Sequence, residues 1–150
     1  MAVAQPRPLA AAAVKAMLDD GQELALVDVR EELIFSRNHL LWARNVPLSR
    51  LELRFAALVP RKATRIVLVD DDDGLAARVA AILARAGYTD LACLDGGNGA
   101  WSAAGFELFS GVNVPSKAFG ESIEHANHTP SVSAEELNAL VQAQTDMVML

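Results

Sequence analysis

Cysteine is nearly absent from this 150-residue chain. Cys93 stands alone, so no internal disulfide can form, and a zinc site would need ligands of another kind. Aromatic residues make up only 5%, which leaves Ala, Val and Leu to supply most of the packing. Basic charge is short as well. With 13 Lys and Arg against 19 Asp and Glu the net charge is −6, which argues against a nucleic-acid backbone binder and a polybasic membrane anchor. No apolar run approaches the roughly 20 residues of a membrane-spanning helix. The Ala-rich N-terminus is interrupted early by Lys15, Asp19 and Asp20, unlike a signal peptide. These absences point to a soluble protein of a reducing, cytoplasmic compartment, with neither nucleic acid nor membrane among its partners. What is present, 52% hydrophobic and 21% charged residues, suits one globular domain with a properly buried core.

Helical and extended patterns alternate along the chain. Leu9, Ala13, Val14, Met17 and Leu18 follow helical spacing, and Gly21 closes the segment. Residues 24–29 form a short apolar run, read as a buried strand, with charged Arg30, Glu31 and Glu32 at its end. Ser49 and Glu52 have the spacing of a capping box before Leu51, Phe55 and Leu58, and Pro60 ends that helix. Residues 65–69 are the clearest central strand. They run into four consecutive aspartates, Asp70 to Asp73, and Gly74. A helix then places Leu75, Val79, Ile82, Leu83 and Ala86 on one face, with Gly87 as its stop. Residues 91–94 read as another strand, followed by Asp95-Gly-Gly97 and a segment holding Trp101. Such alternation predicts an α/β fold, a single domain whose central, mostly parallel sheet carries helices on both faces. Its reactive edge would be the loops leaving the strand C-termini, where the acidic run lies.

Residues 1–108 are read as this domain and 109–130 as an irregular connector rich in Gly, Ser, Asn, Pro and His. A new helix opens after Pro130, with Ser133 and Glu136 spaced as a second capping box. Placing Val132 on Leu9 aligns Leu137 with Val14, Leu140 with Met17 and Val141 with Leu18. The same offset puts Asp146 on Glu23 and residues 147–150 on residues 24–27. Residues 131–150 are therefore expected to be the truncated start of a second copy, and the sequence a fragment of a longer tandem protein. The competing reading is an ordinary C-terminal helix and strand of the first domain.

Several pieces resemble the rhodanese family of sulfurtransferases. Asp28-Val-Arg30 resembles the family's D-x-R at the end of an early strand. Asn38-His39-Leu40 and Ala43-Arg-Asn-Val-Pro-Leu48 resemble its G-H-I…G-A-x-N-I-P-L stretch. Gly87-Tyr88, then Leu94-Asp-Gly-Gly97, Trp101 and Gly105 resemble its ending. Each piece alone is weak, but together, in order and over residues 9–108, they make a specific match. The resemblance implies a catalytic cysteine at the end of the central strand, opening a loop whose backbone N–H groups surround the sulfur. Its thiolate would take a sulfane sulfur from a donor such as thiosulfate, hold it as a persulfide and pass it on. No cofactor is implied.

The chain departs from that pattern at the nucleophile. Counting back from Gly87-Tyr88, the cysteine position falls on Asp70, and the loop reads Asp70, Asp71, Asp72, Asp73, Gly74, Leu75, without thiol or cation. A carboxylate cannot form a persulfide, and adjacent carboxylates repel thiosulfate. Asp28, Arg30 and His39 are expected to brace the loops as a scaffold network. Cys93, inside a strand, is expected to pack and not to react. The aspartates could hold Mg²⁺ as phosphoryl-transfer enzymes do, but the further acids and the Lys such a site needs find no convincing place, so no metal is expected. His125 and His128 lack the further ligands of a metal site.

Two readings remain. One is a non-catalytic, structural or regulatory N-terminal domain of a tandem thiosulfate sulfurtransferase, partnered by the following repeats, with a homodimer as the further option for the fragment alone. The other is an independent binding module whose acidic loop recognises a cation or a basic partner.

Overall fold

The computed structural model describes residues 6–128 and 130–147. Its core is a five-stranded parallel sheet in the order β1-β5-β4-β2-β3. The strands are β1 (Arg7–Leu9), β2 (Ala25–Asp28), β3 (Arg44–Asn45), β4 (Ile66–Val69) and β5 (Leu91–Leu94). In the centre, β4 pairs β2 with Val69 beside Asp28, and β5 with Ile66 beside Leu91. All four β4 residues are buried, as a strand covered on both faces requires. Successive side chains point to opposite faces, so Ile66 and Leu68 join one core with Phe55, Val79 and Tyr88. Val67 and Val69 join the other with Val14, Phe35 and Trp101.

The helices α1 (Ala11–Asp19), α2 (Glu32–Phe35), α3 (Leu51–Leu58), α4 (Leu75–Arg85) and α5 (Gly97–Ala103) supply these two layers. Leu9 does not open the first helix. It ends β1, an edge strand beside β5, where Pro6 and Pro8 disguise the extended segment but are tolerated because an edge needs fewer N–H donors. The expected capping box at Ser49 does not form either. Val46 N–H bonds the Asp28 carbonyl and Leu48 N–H bonds the Val29 carbonyl. The chain is thereby drawn into a 3₁₀ turn, Leu48–Arg50, and α3 begins only at Leu51 without a side-chain cap.

The chain divides into two compact units, Met1–Pro115 and Ser116–Leu150. Most of the expected irregular connector is instead α6 (Val114–Asn127). Pro115 suits a first helical turn, and Lys117 pairs with Glu121 one turn on at 3.9 Å, so the Gly and Ser content misled. The second unit also holds α7 (Ala134–Gln142), whose capping box forms as expected: Ser133 N–H to Glu136 Oε2 at 2.7 Å and Glu136 N–H to Ser133 Oγ at 3.2 Å. Of the strand expected at 147–150, residues 148–150 lie outside the described residues. No described helix is long and apolar enough to cross a membrane.

Candidate functional site: the loop after the central strand

The β4 strand delivers Asp70 to the sheet's C-terminal edge, and the chain must then turn sharply into α4. It does so through left-handed residues, Asp72 at φ 63° and Gly74 at φ 80°. Asp70 is 4% exposed, and its carboxylate points back into the loop. One oxygen accepts from Asp72 N–H at 2.9 Å and the other from Ala76 N–H at 2.8 Å, in the first turn of α4. Two backbone amides of the kind that could hold a bound anion are thus satisfied by an anion belonging to the chain itself.

The neighbouring loop locks this arrangement. Asn98 donates from its backbone and its side chain to the Asp70 carbonyl, at 3.0 and 3.2 Å, and also to Asp71 at 3.3 Å. Gly97 permits the approach, since a Cβ there would lie 2.3 Å from the Asp70 carbonyl oxygen. The Asn98 side-chain oxygen is buried without a partner among the described residues.

The four aspartates are not left to repel one another. Asp70 is held by amides, Asp73 caps Leu75 N–H at 3.1 Å, and Asp71 pairs with Arg30 at 2.9 Å. Only the Asp72 side chain has no partner among the described residues. The missing cation therefore comes from another element, the end of β2. Arg30 is buried and spends its donors on Asp28 (2.7–3.2 Å), Asp71 and Asn38 (3.1 Å to the side chain, 2.6 Å to the carbonyl). Burial works against the Arg30 charge, but the hydrogen bonds and charges of Asp28 and Asp71 outweigh it and hold its pKa above the usual value. Burial likewise lifts the Asp28 carboxyl above the ordinary carboxylate range, and the Arg30 bonds offset this only in part.

The expected site residues thus fall into two groups. Asp28, Arg30 and the 70–75 loop form one connected network. His39 stands apart, stacked on Phe35 at 3.8 Å with Nδ1 bonded to the Phe35 carbonyl, and its backbone bridges to Phe109. No hydrogen bond joins it to the loop among the described residues. Asn38 and Asn98 were missed as braces. Their signal was position alone, one before His39 and the other directly after the glycine pair.

Cys93 lies on β5, half-buried, in an open groove of about 630 Å³ shared with Asp70, Asp72, Arg78 and Asp95. Burial first, and then the Asp70 charge, push its thiol up to about 11. Neither cause favours a thiolate. Among the described residues no three His, Cys, Asp or Glu side chains are placed to share a metal ion.

The family model of the rhodanese-like domain matches residues 10–104. The chain belongs to this family. Its fold is that of a thiosulfate sulfurtransferase from Pseudomonas aeruginosa, with 52% identity over 92% of this chain and a TM-score of 0.82. This rhodanese-like chain spans about a quarter, 26%, of the length of that structure. The fold alone is shared with the Alr3790 protein of Anabaena, at 23% identity over 73% of this chain and 97% of that one, TM-score 0.62. It is also shared with a polysulfide-sulfur transferase homodimer of Wolinella succinogenes, at 16% identity over 72% and 81%, TM-score 0.60. No curated protein matches the chain.

Proposed function

We propose that this rhodanese-like domain carries no sulfur itself and serves as the N-terminal, non-catalytic member of a tandem sulfurtransferase. The carrying observation is Asp70, whose carboxylate fills the amide cradle at the nucleophile position. An anion already seated there leaves no place for a persulfide or thiosulfate, and a carboxylate offers no sulfur to carry. The relative from Pseudomonas aeruginosa, named a thiosulfate sulfurtransferase and far longer than this chain, supports a parent enzyme of that class. The tandem arrangement draws support from α7, which repeats α1 at a constant offset of 123 residues, Ala134–Gln142 against Ala11–Asp19. In this reading the partners are the following repeats of the same polypeptide, in a cytoplasmic setting. The domain packs against them or positions an acceptor.

The test is sulfur transfer from thiosulfate to cyanide by residues 1–150, run beside Asp70→Cys and Cys93→Ser. The expected result is no turnover for wild type and none for Cys93→Ser; any activity of Asp70→Cys measures how much of the cradle survives. Robust wild-type turnover abolished by Cys93→Ser would overturn the proposal. Alkylation supplies a pH check. A thiol held at about 11 reacts with iodoacetamide slowly at pH 8, and the rate rises with pH until it levels near 11. A plateau near the usual value of about 8.5 would mark Cys93 as an ordinary accessible thiol.

A further inference from the structure

Away from the acidic loop, α2, β3 and α3 enclose a cavity of about 270 Å³. Its charge runs against that of the chain. Arg44 and Arg54 both line it, while the carboxylates that pair with arginines elsewhere, Asp28, Asp71, Asp20, Glu23 and Asp90, are occupied at Arg30, Arg65, Arg61 and Arg7. Neither Arg44 nor Arg54 makes an ion pair among the described residues. Glu32 is the one acidic side chain on the wall, and it lies beyond ion-pair distance of both. Two guanidiniums against one carboxylate leave a cationic mouth in a protein of net charge −6.

Phe35, His39 and Trp42 give the wall an aromatic part, beside Ala43, Asn45, Val112 and Pro115. Phe35 and His39 lie stacked with planes 18° apart, and Trp42 is 61% exposed, an unusual position for so large an apolar ring. His39 itself is buried. Its Nδ1 faces the Phe35 carbonyl, which can only accept, so Nδ1 carries the proton. Nε2 has no hydrogen-bond partner among the described residues. A pocket with flat apolar walls, two forked cations at its mouth and one free imidazole nitrogen has the composition of a small-ligand site.

We propose that this cavity binds a small aromatic carboxylate, its carboxylate held by Arg44 and Arg54 and its ring seated among Phe35, His39 and Trp42. The guanidinium fork matches a carboxylate in two parallel hydrogen bonds, and the ring replaces water over Trp42. The site is separate from the Asp70 loop and stands whether or not the domain carries sulfur.

The test is a titration of residues 1–150 with benzoate and 4-hydroxybenzoate, followed by amide and indole NMR shifts. Inorganic phosphate serves as a headgroup without a ring, and benzamidine as a ring of opposite charge. Saturable shifts are expected at the Trp42 indole and the Asn45 side chain, with phosphate weaker and benzamidine silent. Arg54→Ala and Arg44→Ala, both at exposed side chains, should each weaken benzoate about fivefold, with spectra otherwise intact. Trp42→Ala should weaken benzoate but leave phosphate unchanged. Absence of saturation, benzamidine binding as well as benzoate, or shifts confined to the 70–75 loop would each overturn the proposal. Phosphate equalling benzoate would overturn the aromatic part of the assignment.

Discussion

Helices α1 and α7 are built to one pattern and meet different fates. Each has nine residues and follows an extended N-cap, Ala10 at φ −63°, ψ 153° and Ser133 at φ −70°, ψ 163°. Each ends in nearly identical C-caps, Asp20 and Ala143, followed by a left-handed residue, Gly21 at φ 70° and Gln144 at φ 50°. Yet Val14 is fully buried, whereas Leu137, at the matching place, is 37% exposed and Val141 41%. The difference lies in what the helix rests on. In the first unit Val14 packs with Leu26, Val67 and Leu94 of the sheet. No described residue of the second unit forms a strand to serve α7 in that way. Local signals suffice to specify a helix and its ends, while burial needs a surface that the helix does not itself provide.

The sharpest way to test that contrast is to remove the same apolar contact from both helices. Val14→Ala should cost about 2 kcal/mol in urea unfolding of the first unit, from lost burial and the cavity left behind. Leu137→Ala should change the stability of residues 1–150 by less than about 0.5 kcal/mol. Equal costs would break the comparison and mean that α7 is packed in solution. In a longer polypeptide that supplied α7 with a sheet to rest on, the Leu137 cost should rise toward that of Val14.

Next in size is the left-handed stop. Gly21→Ala should cost about 1–2 kcal/mol, because a Cβ at positive φ meets the following carbonyl. Gln144→Gly should do the reverse and raise hydrogen-exchange protection of α7 amides by about 1 kcal/mol. The caps give smaller effects. Ser133→Ala should lower α7 protection by about 1 kcal/mol and leave the unfolding of the first unit untouched. Ala10→Ser should add about 0.5 kcal/mol to the first unit, whose α1 has no side-chain cap. A loss at Ser133 that also lowered first-unit stability would show the two units to be energetically coupled.

Much of the fold was legible because its signals are local. The β4 and β5 strands, α4 with Gly87 after it, and the Ser133 capping box are where spacing and turn chemistry place them. The failures have physical reasons too. The β1 strand hid behind two prolines that only an edge strand tolerates. The Ser49 box lost to backbone bonds with the distant end of β2. In the loop, the sequence showed the absence of a thiol at Asp70 but not the partners of the carboxylates. Arg30, 41 residues away from Asp71, and the loop's own amides compensate three of the four. The pairing of Arg44 with Arg54 across one cavity was invisible for the same reason: it depends on β3 lying beside α3.

By itself the sequence determined most of the central strands and helices, the parallel α/β class, the family, and the absence of a thiol at Asp70. Those follow from side-chain period, cap residues and the identity of one atom, which no folding can alter. Tertiary structure alone decided the strand order, the inward turn of the Asp70 carboxylate, the partner of each aspartate, and which of two matching helices is covered. These are matters of distance between residues far apart in the chain, and distance is set only once the sheet has formed.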